Sequence, residues 1–165
     1  MKIGVCSDVH DNLEALDKAL EGLRAAGVEV LLFCGDFNAP FTLKAMAAGF
    51  DGPVHVVWGN NDGDRWLMTE IAHRMENVHL HGIFAELELD DQRYQAAVVH
   101  YPRLGHALAH SDLYDLVCYG HDHEAHHELV GDTRLLNPGE LMGRFGPPSY
   151  AIVDSETNQV EIRKL

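Results

Sequence analysis

Lys2-Ile3-Gly4-Val5-Cys6-Ser7-Asp8-Val9-His10 is a strand-like run that breaks off into an acid and an imidazole two residues apart. Further along, other apolar runs end the same way. Residues 28–33 lead to Gly35-Asp36, and residues 54–57 to Gly59-Asn60-Asn61-Asp62. Residues 94–99 lead to His100, and residues 116–119 to Gly120-His121-Asp122-His123. In open α/β sheets, ligands bind in the crevice beyond the carboxyl ends of the strands. The recurrence therefore points to one site assembled from many strand ends, which no single motif of the set would imply alone.

The residue types suit a metal site. In Asp8-x-His10 and His121-x-His123, side chains two apart leave the same face of an extended chain, so each pair would converge on one point. Gly35, Gly59 and Gly120 stand at the exits of runs, where a missing Cβ permits a sharp turn. The donors are oxygen and nitrogen without cysteine, which argues against a structural zinc finger. Imidazole with carboxylate suits Mn²⁺, Fe²⁺, Zn²⁺ or Ni²⁺ better than Ca²⁺ or Mg²⁺.

Between the runs, Asp11-Asn12-Leu13-Glu14 reads as a capping box with Asp11 as the cap. Leu13, Leu16, Leu20 and Leu23 follow at helical spacing, and Gly27 ends the helix. Leu43, Met46, Ala47 and Phe50 mark a second helix, and Leu67, Ile71 and Met75 a third. Residues 83–89 and 94–99 form a hairpin about Asp90-Asp91-Gln92-Arg93, followed by a helix over 104–110. Residues 124–130 and 133–136 flank Gly131-Asp132 as a second hairpin; residues 149–154 and 159–163 form a third. Alternating strands and helices followed by hairpins predict an α/β fold, a four-layer αββα sandwich of two packed mixed sheets. One domain over residues 1–165 is expected from the length.

The net charge of −14 disfavours an extended nucleic-acid surface or an acidic membrane as partner, since both need a basic face. Two divalent cations would offset four units of it. No window holds about 18 consecutive apolar residues, so no membrane span is expected. The N-terminus lacks the apolar core of a signal peptide. Cys6, Cys34 and Cys118 are scattered in apolar runs and read as buried thiols, consistent with a cytoplasmic setting.

As a set, Asp8-Val9-His10, Gly35-Asp36, Gly59-Asn60-Asn61-Asp62, His100 and Gly120-His121-Asp122-His123 resemble the calcineurin-like metallophosphoesterase superfamily. Its pattern is D-x-H, G-D, G-N-H-[DE], a separate His, then G-H-x-H. Order and spacing match over nearly the whole chain. The short length and the Gly59–Gly63 form look most like the stand-alone prokaryotic phosphodiesterase branch. The resemblance implies two divalent cations, manganese foremost, with Fe, Ni or Zn as alternatives. It implies that Asp36 bridges them, that Asp8, His10 and His123 complete one site, and that Asn60, His100 and His121 complete the other. The cations would lie roughly 3.5–4 Å apart and activate a shared water for in-line attack on phosphorus. Asp36, Asn60, Asn61 and Asp62 are the residues it places in catalysis. The implied substrate is a small phosphate ester, most naturally a phosphodiester. A small-molecule phosphomonoesterase is the alternative reaction. A non-catalytic metal-binding scaffold is the other alternative, since the small retromer subunit uses the same fold to bind proteins. A homo-oligomer is compatible with all of these.

The chain departs from the pattern twice. Asn61 stands where most of the superfamily has a His assigned to transition-state stabilisation or leaving-group protonation. An amide donates a hydrogen bond but is no general acid near neutrality. His100-Tyr101-Pro102 replaces a common His-Gly, which leaves open whether His106 approaches the site. Asp62 reads equally as a residue that orients a ligand or as a turn residue, and Asn137-Pro138-Gly139 as a loop bordering the site or a plain turn. Arg65, Arg103, Arg144, Trp58 and Trp66 flank the motif loops; Trp58 reads more as core than as pocket wall. His55, His73, His79, His81, His110, His126 and His127 read as ordinary core or surface histidines.

Overall fold

The computed structural model describes residues 1–91 and 93–165; Gln92, in the expected turn at 90–93, lies outside the described residues. In chain order the elements are β1 (Lys2–Cys6), α1 (Leu13–Ala25), β2 (Val30–Phe33), α2 (Pro40–Gly49), β3 (Val54–Val56), α3 (Arg65–Ala72) and β4 (Val78–Leu80). Then follow β5 (Phe84–Leu89), β6 (Tyr94–Val99), α4 (Pro102–Ala109), β7 (Leu116–Cys118), β8 (His126–Val130), β9 (Thr133–Asn137), β10 (Ser149–Asp154) and β11 (Gln159–Lys164). The strands form two sheets, in the orders β11-β10-β1-β2-β3-β4 and β5-β6-β7-β9-β8. Both are mixed: β1 to β4 run parallel with β10 antiparallel to β1, and β6, β7 and β9 run parallel between antiparallel β5 and β8.

Strand alternation distributes the core. Leu31 and Phe33 of β2 pack outward with Leu16, Leu20 and Leu23 of α1 and Leu43 and Met46 of α2. Val30 and Leu32 face inward to meet Ala96, Val98, Leu116 and Leu136 between the sheets. A smaller cluster joins Ala109 to Val99, Val117 and Tyr119 under α4. These are the four layers expected. Each fully buried Leu or Phe contributes about 1.5–3 kcal/mol of transfer free energy. Cys6, Cys34 and Cys118 are free and buried within these clusters, as read from the sequence.

Local expectations failed where competing contacts were long-range. The helix cap is Asn12, whose side chain accepts from the backbone N–H of Ala15; Asp11 instead accepts from Ala39 N–H and the Thr42 hydroxyl. β2 begins at Val30, two residues later than expected, and just before it the Glu29 carboxylate accepts from the Lys2 N–H at 2.9 Å. α3 stops before Met75. β4 was not foreseen, since three residues are too short for a period to show.

β3 and β4 carry a feature of their own. They pair in register with His55 opposite His79. Val54, Val56 and Val78 pack under the helices, so both imidazoles take the other face of the sheet. Burial lowers the His55 pKa to about 4, and the neighbouring His81 and His79 push it the same way. The unfolded chain takes up this proton near the ordinary value of 6.5, the folded protein only near 4. Stability attributable to neutral His55 is thus complete above the unfolded value and is lost as pH falls from 6.5 toward 4. Allowing for partial solvent access, about 1–2 kcal/mol is at stake. Urea unfolding at pH 7 and pH 4.5 should show a steeper acid loss in wild type than in His55→Gln, by that amount. Equal losses would show that His55 does not stay neutral.

Candidate metal centre

Asp8 follows β1 directly. It is fully buried, and one carboxylate oxygen, Oδ2, accepts from the Ser7 hydroxyl at 2.5 Å and the His121 N–H at 2.9 Å. The other oxygen, Oδ1, is buried without a hydrogen-bond partner, as is Nε2 of His10. Such groups ordinarily cost about 1–3 kcal/mol each unless a ligand satisfies them. His10 Nε2 lies 3.7 Å from Asp8 Oδ1 and 3.5 Å from Asp36 Oδ2, and His123 Nε2 lies 3.5 Å from Asp8 Oδ1. Ligand atoms of Asp8, His10 and His123 all lie within 4.8 Å of one another, and so do those of Asp8, Asp36 and His100. Orphaned donors converging on one point, with a nitrogen and oxygen set, fit a divalent cation.

The second half of the site is built on amides and imidazoles. Asn60 Oδ1 stands 2.9 Å from His100 Nε2 and 2.8 Å from His121 Nδ1, and those two nitrogens are 3.3 Å apart. Asp36 Oδ2 lies 3.5 Å from His100 Nε2, between the two halves. Each buried imidazole is oriented from behind. His100 donates through Nδ1 to the Cys34 carbonyl at 2.7 Å, and His123 donates through Nδ1 to Glu140 Oε2 at 2.7 Å. Both bonds select the tautomer that turns the Nε2 lone pair to the centre.

The charges follow from this arrangement. Burial pushes the Asp36 carboxyl up, but His100 and the two Asn61 donors overcome it and bring the pKa to about 2. His10 is raised by its contact with Asp8 against the opposing effect of burial. His100 is penalised by burial yet also raised, by Asp36 and Asp8. Asp36 therefore stays ionised, and its negative charge draws positive charge to the centre.

Backbone conformation places these groups. Asp8, His10, Asp36, His121 and His123 all have positive φ, between 43° and 77°. Residues other than glycine rarely adopt it, and Asp and His tolerate it better than most. This corrects the extended-chain argument for the two x-spaced pairs: they converge through left-handed turns, not by sharing a strand face. The glycines have a steric role. A Cβ on Gly59 would collide with the Asp36 carboxylate, and one on Gly120 with the Ser7 hydroxyl.

Asp62 stands behind the site. Its oxygens accept from the N–H groups of Asp36 (3.1 Å), Gly59 (2.7 Å) and Asn38 (2.8 Å), which ties two motif loops together. Its carboxylate is thus spent on backbone N–H groups. Asn61 donates from its backbone N to Asp36 Oδ1 and from its amide to Asp36 Oδ2, both at 2.7 Å. Asn137 is fully buried and donates to Asp122 and to the Gly120 carbonyl, so the loop after β9 braces the His121 turn. Arg65 donates to the Gly59 and Asp62 carbonyls and lies over the Trp58 ring. Pro102 opens α4, and that helix sets His106 against Tyr119. Trp66, 76% exposed, stands free on the surface.

Sequence reasoning missed Ser7, Glu140 and Phe145. Glu140 is 1% exposed and accepts from the N–H groups of Phe145 and Gly146 as well as from His123. No local pattern marks it, because its partner is 17 residues away. Exposed Phe145 sets its ring 5.1 Å from that of His123, and Tyr101 sits 5.1 Å from His121 on the other side. A cleft of about 490 Å³ lined by Asp122, His123, Ala125, Phe145, Pro147 and Lys164 opens beside the centre.

The profile of the calcineurin-like phosphoesterase superfamily domain matches residues 1–158. The chain belongs to that superfamily. Phosphodiesterase MJ0936 of Methanocaldococcus jannaschii is 34% identical over 160 residues, 96% of this chain and 96% of that protein. Phosphodiesterase YfcE of Escherichia coli K12 is 26% identical over 179 residues, 97% of this chain and 91% of YfcE. Among solved structures, an archaeal phosphodiesterase superposes with a TM-score of 0.90 at 34% identity, covering 100% of both chains. Vps29 of Chaetomium thermophilum superposes at 0.70 with 16% identity, covering 100% of this chain and 97% of Vps29, a likeness of fold alone. Membership of the superfamily makes the chain a hydrolase of phosphoric esters with a divalent-metal requirement.

Proposed function

We propose that the chain is a phosphodiesterase working with two divalent cations, manganese foremost and Fe, Ni or Zn as substitutes. The observation that carries this is the pair of buried, unpartnered atoms, Asp8 Oδ1 and His10 Nε2, beside Asp36. Asp8, His10 and His123 would hold one cation, Asn60, His100 and His121 the other, and Asp36 would serve both. Bound there, the cations would neutralise phosphoryl charge and lower the pKa of an attacking water. The protein's own contribution is preorganisation. Glu140 and the Cys34 carbonyl lock the imidazoles, Asp62 locks the Asp36 loop, and the Asn61 amide steadies the Asp36 carboxylate.

Charge and shape support a diester over a monoester. A monoester brings a second negative charge to a protein of net charge −14. Arg65 already serves two backbone carbonyls, and Arg103 and Arg144 are exposed, so none is built in against that second charge. Tyr101 and Phe145 stand on opposite flanks of the histidines, one for each substituent of a diester. We place the reaction on small substrates, in the cytoplasm, with residues 1–165 acting as one domain. Among the described residues no helix is long and apolar enough to cross a membrane.

Paired assays of bis(4-nitrophenyl) phosphate and 4-nitrophenyl phosphate with Mn²⁺ test this. Turnover of the diester should exceed that of the monoester by about tenfold or more in kcat/KM, a difference of about 1.4 kcal/mol in barrier. The reverse order would identify a phosphomonoesterase. No turnover of either ester by protein that has taken up metal would favour a scaffold.

A further inference from the structure

Three histidines outside the catalytic centre form a cluster that the hydrolytic reaction does not use. β3 reads Val54-His55-Val56, and β4 with its next residue reads Val78-His79-Leu80-His81. Register places His55 opposite His79. His81 follows His79 by two and stays on the same face, held by its N–H bond to the Val56 carbonyl at 3.0 Å. His55 Nδ1 and His81 Nε2 are 2.9 Å apart. The ring of His55 stacks on that of His79 at 4.9 Å and lies 5.1 Å from that of His81.

This face lies at the margin of the core between the sheets, with His55 and His81 half-buried and His79 exposed. The apolar core between the sheets takes residues from β1, β2 and β10, and none from β3 or β4. β4 is also the outer strand of its sheet, only three residues long. Three imidazoles therefore occupy a place where apolar side chains would normally cover an edge.

We propose that His55, His79 and His81 form a separate binding site for an imidazole-seeking divalent cation such as Zn²⁺, Ni²⁺ or Cu²⁺. Two nitrogens bound to one tetrahedral cation at about 2.0–2.1 Å stand about 3.3–3.4 Å apart, so His55 and His81, hydrogen-bonded at 2.9 Å, have only to open by a few tenths of an ångström and turn their rings toward a common point. The cation takes the place of that hydrogen bond, and the proton of the donating nitrogen moves to the other nitrogen of its own ring. Exposed His79 completes the set by a rotation of its side chain, with water in the remaining position. Its donor set is all imidazole, without the carboxylate and amide oxygens of the catalytic centre, which selects against Mn²⁺ and in favour of later transition metals. The low pKa of His55 supports this, since one of its ring nitrogens keeps an unprotonated lone pair at neutral pH. By tying β4 to β3, the cation stabilises a short edge strand through binding the native state alone.

The test is zinc content after equilibration with Zn²⁺ and dialysis, for wild type and the double variant His55→Gln, His81→Gln. Wild type should retain one zinc per chain more than the double variant, whatever the loading of the catalytic centre, and the variant should still hydrolyse its ester. Equal zinc contents would overturn the site. If the double variant does not fold, Zn²⁺ titration of wild type followed by imidazole proton resonances replaces it. The lines of His55, His79 and His81 should then shift in a phase separate from those of the catalytic histidines. Absence of that phase would likewise overturn the proposal.

Discussion

Asp36→Ala should lower kcat/KM for an activated phosphodiester by more than about 10³-fold. A cation that polarises a phosphoryl oxygen contributes several kcal/mol, and each 1.4 kcal/mol is tenfold in rate. Asp36 stands within 3.5 Å of both His10 and His100, so its loss weakens both halves of the centre. His10→Ala removes a donor from one half only and should cost less. Glu140→Gln keeps every ligand but weakens the orientation of His123, and should lower metal affinity by about 10–100-fold. Because Asp36 has a φ of 58°, alanine there adds backbone strain unrelated to chemistry. Asp36→Asn is the control, since asparagine tolerates that conformation. Kinetics with excess Mn²⁺, alongside metal content, would rank the series. Near-normal hydrolysis by Asp36→Asn and Asp36→Ala would remove Asp36 from its shared position.

The second large effect concerns the leaving group. Breaking the P–O bond puts negative charge on the departing oxygen. A nitrophenolate bears it unaided; an alkoxide needs a proton or a nearby cation. General acid catalysis contributes about 10²–10⁴-fold, and the position that supplies it in most of the superfamily holds Asn61 here. The structure adds two constraints. Both Asn61 donors are directed to Asp36, and His106 is held against Tyr119 on α4. Wild-type rates should therefore fall steeply as leaving-group pKa rises across aryl and alkyl phosphodiesters. Asn61→His should raise the rates of poor leaving groups by up to about 10²-fold while changing good ones little. The backbone bond from residue 61 to Asp36 survives that substitution, so the Asp36 carboxylate keeps one of its two donors. A shallow slope in wild type with no selective gain in the variant would show that another group delivers the proton.

Much of this molecule was legible in one dimension because its signals are local. Apolar runs of four to six residues located β2, β5, β6 and β10, and leucines at helical spacing located α1. What failed was set at a distance. The cap of α1 fell to Asn12 because Asp11 found Thr42, 31 positions away. β4 exists because β3 offers it a parallel edge. The histidines of β3 and β4 looked ordinary one by one, and only the register brought their rings together.

At the catalytic centre the division has the same origin. The residue types alone name the candidate donors: Asp8, His10, Asp36, Asn60, His100, His121 and His123 are the oxygen and nitrogen groups at the strand ends. Tertiary structure decided which of their atoms remain free. Asp8 Oδ2 is taken by the backbone of His121, 113 residues on, and His100 Nδ1 by the Cys34 carbonyl, 66 residues back. Asp8 Oδ1 is what those bonds leave over. A side chain's chemistry is written in its own residue, but its unused valence depends on neighbours that only folding supplies.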